Sequence, residues 1–325
     1  MSLYSTRRQM IAMTGAALWA GAVRANPTEP VATRTMEGRA FASHWRITAP
    51  AHVDLERHRA NIDALLARID VQMSPWRDDS EITGFNLTQR ERAVSPDTAL
   101  VARAALDIAR DSGGWFDPTV GPLVAQWGFG RISGSHAGRW EGLAVSGDSL
   151  RKDDAGLTMD LCGIAKGRAL DLLATYLCDA GETAFLVDLG GELKSEGLHP
   201  EGRPWQIAVE DPRPSHNGPA FGLRLPDGMA VATSGLRSQS YELDGQRYGH
   251  IIDPHHARPS DGSAASVSVL DAEGMVADGW ATALAAAGEQ GPQIAQSNGI
   301  SALFLFNTAG GLTPQTTGGF DRYIL

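Results

Sequence analysis

The chain has 325 residues, with 28 lysines and arginines against 38 aspartates and glutamates, and a formal net charge of −10 at pH 7. A chain this acidic does not attract polyanions at long range, so the composition argues against a nucleic-acid-binding protein. The 42% hydrophobic and 20% charged residues are typical of a globular protein of one or two domains. Two cysteines exclude a disulfide-rich scaffold and a zinc site built from paired cysteines.

The first 25 residues have the layout of an export signal. Arg7 and Arg8 follow a serine and a threonine, an apolar run extends over 11–23, and small residues precede a cleavage point near Ala25. Adjacent arginines at this place are typical of the twin-arginine signal. A general secretory signal or a retained anchor is the alternative, but about 13 apolar residues fall short of the ~20 that a spanning helix needs. We therefore expect a periplasmic protein without stable membrane insertion.

Beyond this segment we expect a linker over 26–36 and one compact body over 37–325. Strand patterns with alternating apolar residues and helical spacings follow one another there in irregular order. Strands are predicted at 44–48, 184–189, 205–209 and 267–270, and helices at 53–73, 96–112 and 278–287. Short connections between several strands favour an α+β fold with mixed, mostly antiparallel sheets and packed helices.

Two segments carry residues suited to a phosphate or a metal ion. Lys166 is predicted in the first turn of a helix that follows a strand, where free N–H groups and the helix dipole favour an anion. The segment has neither a P-loop nor a Rossmann fingerprint, so an ordinary surface lysine is the alternative. Asp278 and Thr282 lie four residues apart on one helix face, and their oxygens suit Mg²⁺. A helix-capping aspartate and a threonine bonded to a carbonyl form the simpler interpretation.

Two more segments offer a binding loop and a base. The loop over 113–122, rich in glycine and proline, either holds an aromatic ring against a ligand or forms only a rigid turn. His250 and Asp253 are each candidates for a general base. In an extended chain they point to opposite faces, so a direct pair is not assured. His255 and His256 follow at once, but this spacing is a weak zinc signal.

Cys162 and Cys178 are predicted to be unpaired. They are separated by roughly 24 Å along a continuous helix, whereas a disulfide needs Cα atoms within about 7 Å. We expect Cys178 to be buried. Cys162 is either a small packed side chain or a reactive thiol near the start of a helix.

In order and spacing, these segments resemble the ApbE family of FAD:protein FMN transferases. The resemblance extends from about Gly38 to Gly288. It is carried by seven segments, at residues 73–86, 116–122, 160–167, 190–192, 232–235, 250–254 and 277–282. Any one of these segments is weak evidence, but seven in order are hard to reach by chance.

The resemblance implies a T-fold-like architecture of two lobes with the FAD site between them. It also implies an enzyme that uses Mg²⁺ to move FMN from FAD to a threonine or serine hydroxyl of another protein, with release of AMP. The implied FAD-binding residues are Phe41, Trp76, Phe116, Asp117, Pro118, Asp160, Lys166 and Ile252. The implied metal ligands are the side chains of Asp278 and Thr282 and backbone carbonyls near Gly163 and Ala281.

The resemblance further implies that His250 takes part in the transfer, with Asp253 as the alternative base. The implied acceptors are periplasmic domains of membrane electron-transfer complexes.

One departure from the family concerns the residues beside the flavin. The family commonly carries Met-Gly-Thr where this chain has Phe41, Ala42 and Ser43. A phenylalanine still offers apolar contact, but the loss of glycine removes a permissive backbone position. Two alternatives to the transferase therefore stay open. One is a carrier that binds FAD without transferring FMN, and the other is a FAD diphosphatase that releases FMN and AMP.

Overall fold

The computed structural model describes residues 32–325 except 214, 215, 217, 238, 244, 245 and 309. The predicted export signal over 1–25 lies outside these residues, as does most of the predicted linker. The first strand begins at Thr33, so residues 33–36 of that linker belong to the folded body. Within the described part of the chain, no helix is long and apolar enough to cross a membrane.

The helices and strands of the described residues alternate irregularly. The α-helices are α1 (Arg59–Met73), α2 (Glu81–Asn86), α3 (Pro96–Asp111), α4 (Gly121–Gln126), α5 (Ala165–Asp179), α6 (Gly274–Ala287) and α7 (Gly291–Ser297). The first strands are β1 (Thr33–Ala40), β2 (Ser43–Pro50), β3 (Glu91–Ala93), β4 (Leu143–Ser146), β5 (Ser149–Lys152), β6 (Phe185–Leu189), β7 (Glu192–Glu196), β8 (Trp205–Glu210) and β9 (Pro219–Leu225). The later strands are β10 (Ala230–Gly235), β11 (Ser240–Leu243), β12 (Gln246–Gly249), β13 (Ile252–Asp253), β14 (Arg258–Pro259), β15 (Ala264–Asp271), β16 (Ser301–Thr308) and β17 (Gly311–Thr317).

Eight strands form one central sheet in the order β1-β2-β6-β7-β10-β15-β16-β17. Smaller sheets pair β8 with β9, β11 with β12, β13 with β14, and β3 and β4 with β5. Every pairing between these strands is antiparallel. The structure therefore confirms the predicted α+β fold with mostly antiparallel sheets.

The central sheet is covered by helices on its front face and by the β8–β9 ribbon on its back face. On the front, α5 packs on β6 and β7 with α1 beside it, and α6 packs on β10 and β15 with α3 beside it. On the back, Ile207 and Leu223 of the ribbon share an apolar core with Leu303 and Leu305 of β16. Because both faces are covered, β15 is buried along all but its last residue.

Capping side chains explain where two helices begin. The Ser95 hydroxyl accepts a hydrogen bond from the Thr98 backbone, and Pro96 occupies the first helical position, so α3 begins where it was predicted. Helix α6 begins four residues before the predicted start, at Gly274. The Asp171 carboxylate of α5 accepts hydrogen bonds from the backbone N–H groups of Gly274 and Met275, which caps this end.

The strand predicted before Lys166 is wrong. The segment at 157–160 forms no strand and pairs with none among the described residues. Its Met159 instead exchanges two hydrogen bonds with the Asn86 side chain, and Asp160 donates its backbone N–H to the Pro118 carbonyl. The Asn86 side chain thus forms the hydrogen bonds that a neighbouring strand would otherwise form with Met159. A local sequence pattern cannot reveal such a contact between distant residues.

The turn between β1 and β2 is tight and strained. Phe41 has φ 52° and Ala42 has φ 57°, so both lie in the left-handed region that favours glycine. At Ala42 the turn thus has a backbone conformation suited to glycine without having a glycine there. Left-handed backbone costs a non-glycine residue roughly 1–2 kcal/mol.

We predict that Ala42→Gly stabilises the protein. The relief of strain outweighs the added entropy of the unfolded chain, for a net gain of about 0.5–1 kcal/mol in the free energy of unfolding. Ala144→Gly, at an exposed position of β4, is the matched control and should lose about 0.5–1 kcal/mol. Urea unfolding measures the free energy of unfolding of both variants. A less stable Ala42→Gly variant would contradict the claim that the turn is strained at Ala42.

Candidate active site

A cavity of about 190 Å³, the front cavity, lies on the helix-bearing side of the sheet. Its walls come from the loop before α4, the start of α5, the β6–β7 turn, the end of β10, the segment around His250, and α6. Nine of the predicted site residues line it, namely Phe116, Asp117, Asp160, Gly163, Lys166, His250, Ile252, Asp278 and Thr282. The fold therefore brings together residues that are up to 166 positions apart in the sequence, from 116 to 282.

Helices α5 and α6 cross in close contact at two glycines. A Cβ atom added to Gly167 would lie 2.2 Å from the Gly274 carbonyl oxygen, which leaves no room for any other residue. The crossing brings Asp278 beside the first turn of α5, where its Oδ2 atom accepts a hydrogen bond of 2.9 Å from the Gly167 N–H. Asp278 lies inside α6 and not at its start, so the helix-capping interpretation of this residue is wrong.

One ammonium group and two buried carboxyl groups form a cluster at this crossing. Lys166 Nζ donates to Glu192 Oε1 at 2.6 Å. Burial alone would lower the pKa of Lys166, but the Glu192 and Asp278 carboxylates outweigh it and hold that pKa above its ordinary value. Burial raises the pKa of Glu192 to about 8, and it also raises the pKa of Asp278. The two carboxyl groups carry more potential negative charge than one ammonium group balances, so the cluster can accommodate an added cation.

The oxygens around Asp278 fit a small hard cation. The Thr282 hydroxyl lies 3.2 Å from the Gly163 carbonyl oxygen and 3.3 Å from the Ser234 hydroxyl, so several neutral oxygens converge near one carboxylate. Glu192 Oε2 is buried and has no hydrogen-bond partner within the described part of the protein. Such a set suits Mg²⁺ when phosphates and water complete the octahedron.

Ala281 is fully buried in α6 and does not line the cavity. Its predicted role as a carbonyl ligand is not tested by the side-chain geometry. Among the residues that the structure describes, no three histidine, cysteine, aspartate or glutamate side chains come close enough to hold a metal by themselves. A cation here would therefore depend on backbone and hydroxyl oxygens and on its substrate.

His250 is held as a neutral base at the cavity wall. Its Nδ1 atom lies 3.2 Å from the Gln239 carbonyl oxygen, which can only accept a hydrogen bond. Nδ1 therefore carries the proton, and Nε2 has the free lone pair. Burial, together with the charge of Lys166, lowers the pKa of His250, so the imidazole is neutral at pH 7.

Asp253 is engaged in the turn that follows β13 and does not line the cavity. Its Oδ1 atom accepts the backbone N–H groups of His255 and His256, and its Oδ2 atom lies 2.7 Å from His256 Nδ1. Asp253 thus pairs with His256 and not with His250. Of the two candidate bases, the geometry favours His250.

Three other predicted FAD-binding residues lie outside the wall of this cavity. Phe41 is at the tip of the β1–β2 turn, and Trp76 is 59% exposed in the loop between α1 and α2. Pro118 supports the site through its carbonyl oxygen, which accepts the Asp160 N–H at 2.7 Å. Their contacts with FAD stay predictions.

The loop over 113–122 holds two buried residues against the cavity. The Asp117 carboxylate accepts hydrogen bonds of 2.6 Å from both the backbone and the hydroxyl of Thr119, which fixes the loop. Burial raises the pKa of Asp117. Phe116 beside it is 4% exposed and presents its ring to the cavity. The loop is therefore both a rigid turn and a wall of the site.

Both cysteines are free, as predicted. Cys178 is exposed on the outer face of α5, so the prediction that it is buried is wrong. Cys162 is exposed at the cavity wall, yet the protein around it and the Asp160 carboxylate raise the pKa of its thiol well above the ordinary range. The thiol stays protonated at neutral pH, which argues against a reactive thiolate.

Sequence reasoning did not assign a role to Glu192 or Ser234. Glu192 follows two glycines at a strand end, and Ser234 lies in the 232–235 segment. Both segments were recognised, but neither pattern shows that these side chains face Lys166 and Thr282.

Known proteins resemble this chain in sequence and in fold. The sequence profile of the ApbE family matches residues 41–304. A relative named FAD:protein FMN transferase from Vibrio cholerae is 36% identical over 299 residues, which cover 86% of this chain and 88% of the relative. A relative of the same name from Escherichia coli strain K12 is 31% identical over 84% of each chain.

The solved structure of the flavin transferase ApbE from Vibrio cholerae has a TM-score of 0.80 and 34% identity, and covers 90% of this chain and 100% of that one. The flavinyl transferase ApbE from Pseudomonas stutzeri, in its apo form, has a TM-score of 0.78 and 33% identity, with 90% and 96% covered. The fold is thus that of the ApbE flavin transferases. The chain belongs to the ApbE family.

We predict that Gly167→Ala damages the site and the fold together. The new methyl group would meet the Gly274 backbone, which cannot move without separating α5 from α6, so we expect a loss of about 2–3 kcal/mol. In the control, Gly84→Ala in α2, the methyl group meets only the movable end of Arg92, so stability should change by less than about 1 kcal/mol. Thermal unfolding checks both variants. Equal stability of the two would show that the crossing tolerates a side chain.

Proposed function

We propose that this protein transfers FMN from FAD to a threonine or serine hydroxyl of an acceptor protein, forming a phosphoester and releasing AMP. The observation that carries the proposal is the convergence of a lysine, a set of hard oxygen donors and a neutral histidine on one cavity. Family membership supports it, because the curated relatives are named FAD:protein FMN transferases.

The reaction requires one bond to form and one to break at a single phosphorus. The acceptor hydroxyl oxygen attacks the phosphorus on the FMN side of the pyrophosphate. The bond from this phosphorus to the bridging oxygen breaks, and AMP leaves with that oxygen. His250 Nε2 takes the hydroxyl proton, because it is the ring nitrogen with the free lone pair.

The residues around the pyrophosphate supply charge neutralisation and alignment, which are the main requirements of phosphoryl transfer. Lys166 provides a fixed ammonium group, and the N-terminus of α5 adds the partial charge of its N–H groups. Asp278, Thr282 and the Gly163 carbonyl would hold Mg²⁺, with the Ala281 carbonyl as a proposed fourth ligand. Bound there, Mg²⁺ would neutralise the phosphate oxygens that this acidic protein would otherwise repel.

We further propose that the chain is exported by its twin-arginine-type signal and acts in the periplasm. Its acceptors would be periplasmic domains of membrane electron-transfer complexes. The adjacent arginines and the short apolar run of the first 25 residues support this placement.

The same geometry hydrolyses FAD to FMN and AMP when water replaces the acceptor. Three outcomes of product analysis therefore separate the possible functions. Flavinylated acceptor with AMP indicates the transferase, free FMN with AMP indicates a diphosphatase, and bound FAD without turnover indicates a carrier.

We predict that Asp278→Asn lowers AMP release from FAD on the order of 100-fold. The amide oxygen still accepts the Gly167 N–H, so the fold is kept while the negative charge beside the cation is lost. Asp148→Asn, at an exposed turn, is the control with no expected effect. Nucleotide chromatography measures AMP, and a melting curve confirms folding. Unchanged AMP release in folded Asp278→Asn would refute the metal role.

We predict that transfer is lost as the pH falls through the pKa of His250, because the protonated imidazole cannot accept a proton. Since that pKa is lowered, the acid limb of kcat/KM should lie below pH 6.5, the ordinary value for histidine. His250→Gln should lose about 10²–10⁴-fold in rate, and its residual activity should lack this limb. Asp253→Asn should keep the limb, and its disappearance there instead would assign the base to Asp253.

A further inference from the structure

The central sheet is split next to the front cavity. Strand β10 pairs with β15 along its whole length, from Ala230 to Gly235. On its other side it pairs with β7 only at Ala230 and Val231. No strand in the described ranges pairs with residues 232–235 on that side. We call the resulting gap in the sheet the notch.

The backbone of two β10 residues points into the notch. Leu236 N–H donates to Ala265 on the β15 side, and the Met229 carbonyl accepts the Ser195 N–H on the β7 side. Because successive residues of a strand point their backbone groups to alternate sides, those of Thr233 and Gly235 face the side where β7 has ended. The backbone N–H and C=O groups of Thr233 and Gly235, two donors and two acceptors, can therefore form hydrogen bonds with another polypeptide chain.

The floor of the notch is the β6–β7 turn, and its far side is β2. Gly190 and Gly191 form that turn, and Gly190 N–H donates to the His44 carbonyl of β2. Strands β2 and β10 are three strand spacings apart, or about 14 Å, and beyond the turn the two strand positions between them, those of β6 and β7, are empty. The opening is thus wide enough for one extended polypeptide.

A second, larger cavity of about 670 Å³ lies behind the sheet, under the β8–β9 ribbon. We call it the rear groove. Gly190, Thr233 and Gly235 line both the rear groove and the front cavity, so the two spaces meet at the notch.

The lining of the rear groove suits a peptide and not a second phosphate site. It carries both signs of charge, from Arg46 and Arg237 against Asp188 and Glu210, and it runs along β8 from Gln206 to Glu210. None of the predicted FAD-binding residues lines it. Its volume falls within the roughly 300–1,000 Å³ of ligand sites, whereas the front cavity is smaller than that range.

We propose that the rear groove binds an extended segment of the acceptor protein. The segment adds to the free edge of β10 at Thr233 and Gly235, in the manner of strand addition to a sheet. Its hydroxyl then passes through the notch to the pyrophosphate in the front cavity. The inference rests on the proposed function, since it names where the substrate protein of that reaction is held.

Thr48→Trp tests the rear groove without touching the front cavity. Thr48 lines the groove from β2, and its side chain faces the rear because those of Ile47 and Ala49 on either side are buried on the front face. An indole ring there therefore occupies the groove while the strand pairing stays intact. Ala144→Trp, at an exposed position of β4 away from both cavities, is the matched control. Arg46→Trp, which lines the groove from the same face of β2, serves if Thr48→Trp does not fold.

The first measurement is the affinity for an acceptor domain whose target threonine is replaced by valine, by calorimetric titration into the FAD-loaded protein. This domain cannot react, so binding is measured even if the proposed transfer fails. We expect Thr48→Trp to weaken acceptor binding by 10-fold or more and Ala144→Trp to leave it unchanged. Equal acceptor affinity in Thr48→Trp and the wild type would overturn the proposal.

The second measurement is the affinity for FAD and the release of AMP in the absence of an acceptor. Both should be unchanged in Thr48→Trp, because this residue lines the groove behind the sheet and not the front cavity. A parallel loss of FAD affinity would show that the groove holds part of FAD, and this would also overturn the proposal. Absence of FMN transfer by the wild-type protein to the unmodified acceptor would instead refute the proposed function.

Discussion

The site depends on one close crossing of two helices. Because α5 and α6 meet at Gly167 and Gly274, the Asp278 carboxylate reaches the first turn of α5 and accepts its N–H group. The same contact sets Thr282, one turn further along α6, beside the Gly163 carbonyl. Without this approach the oxygens would face separate helices and could not surround one ion. The packing of two small residues therefore determines the electrostatics of the cavity.

The charge balance of the cavity follows from this packing. Two buried carboxyl groups share one ammonium group, and the pKa of Glu192 rises to about 8. A dinucleotide adds further negative charge, which the chain as a whole, at −10, would repel. In the proposed reaction, a bound cation would resolve this conflict locally, and neutral His250 would accept the proton. In the proposed mechanism, the cation balances the charge and a different group, His250, accepts the proton.

The sequence was sufficient to predict the fold class and nine of the residues that line the cavity, because Lys166, His250, Asp278 and Thr282 lie in compact motifs. It could not show that Asn86 replaces a strand beside Met159, since the two are 73 residues apart. Nor could it show that Asp253 is held by its own turn, or that Cys178 faces outward. The notch arises because β7 ends before β10 does, which only the pairing of strands reveals. Local sequence patterns do not contain information on contacts between distant segments, so these features could not be predicted.

The central claim is that the cavity moves FMN onto another protein with the help of a divalent cation. The most direct test is intact-mass analysis of a periplasmic flavin-acceptor domain after incubation with the mature chain, FAD and Mg²⁺. The account predicts that the acceptor gains the mass of one covalently bound FMN and that EDTA prevents the gain. An acceptor of unchanged mass, with only FMN and AMP free in solution, would contradict it.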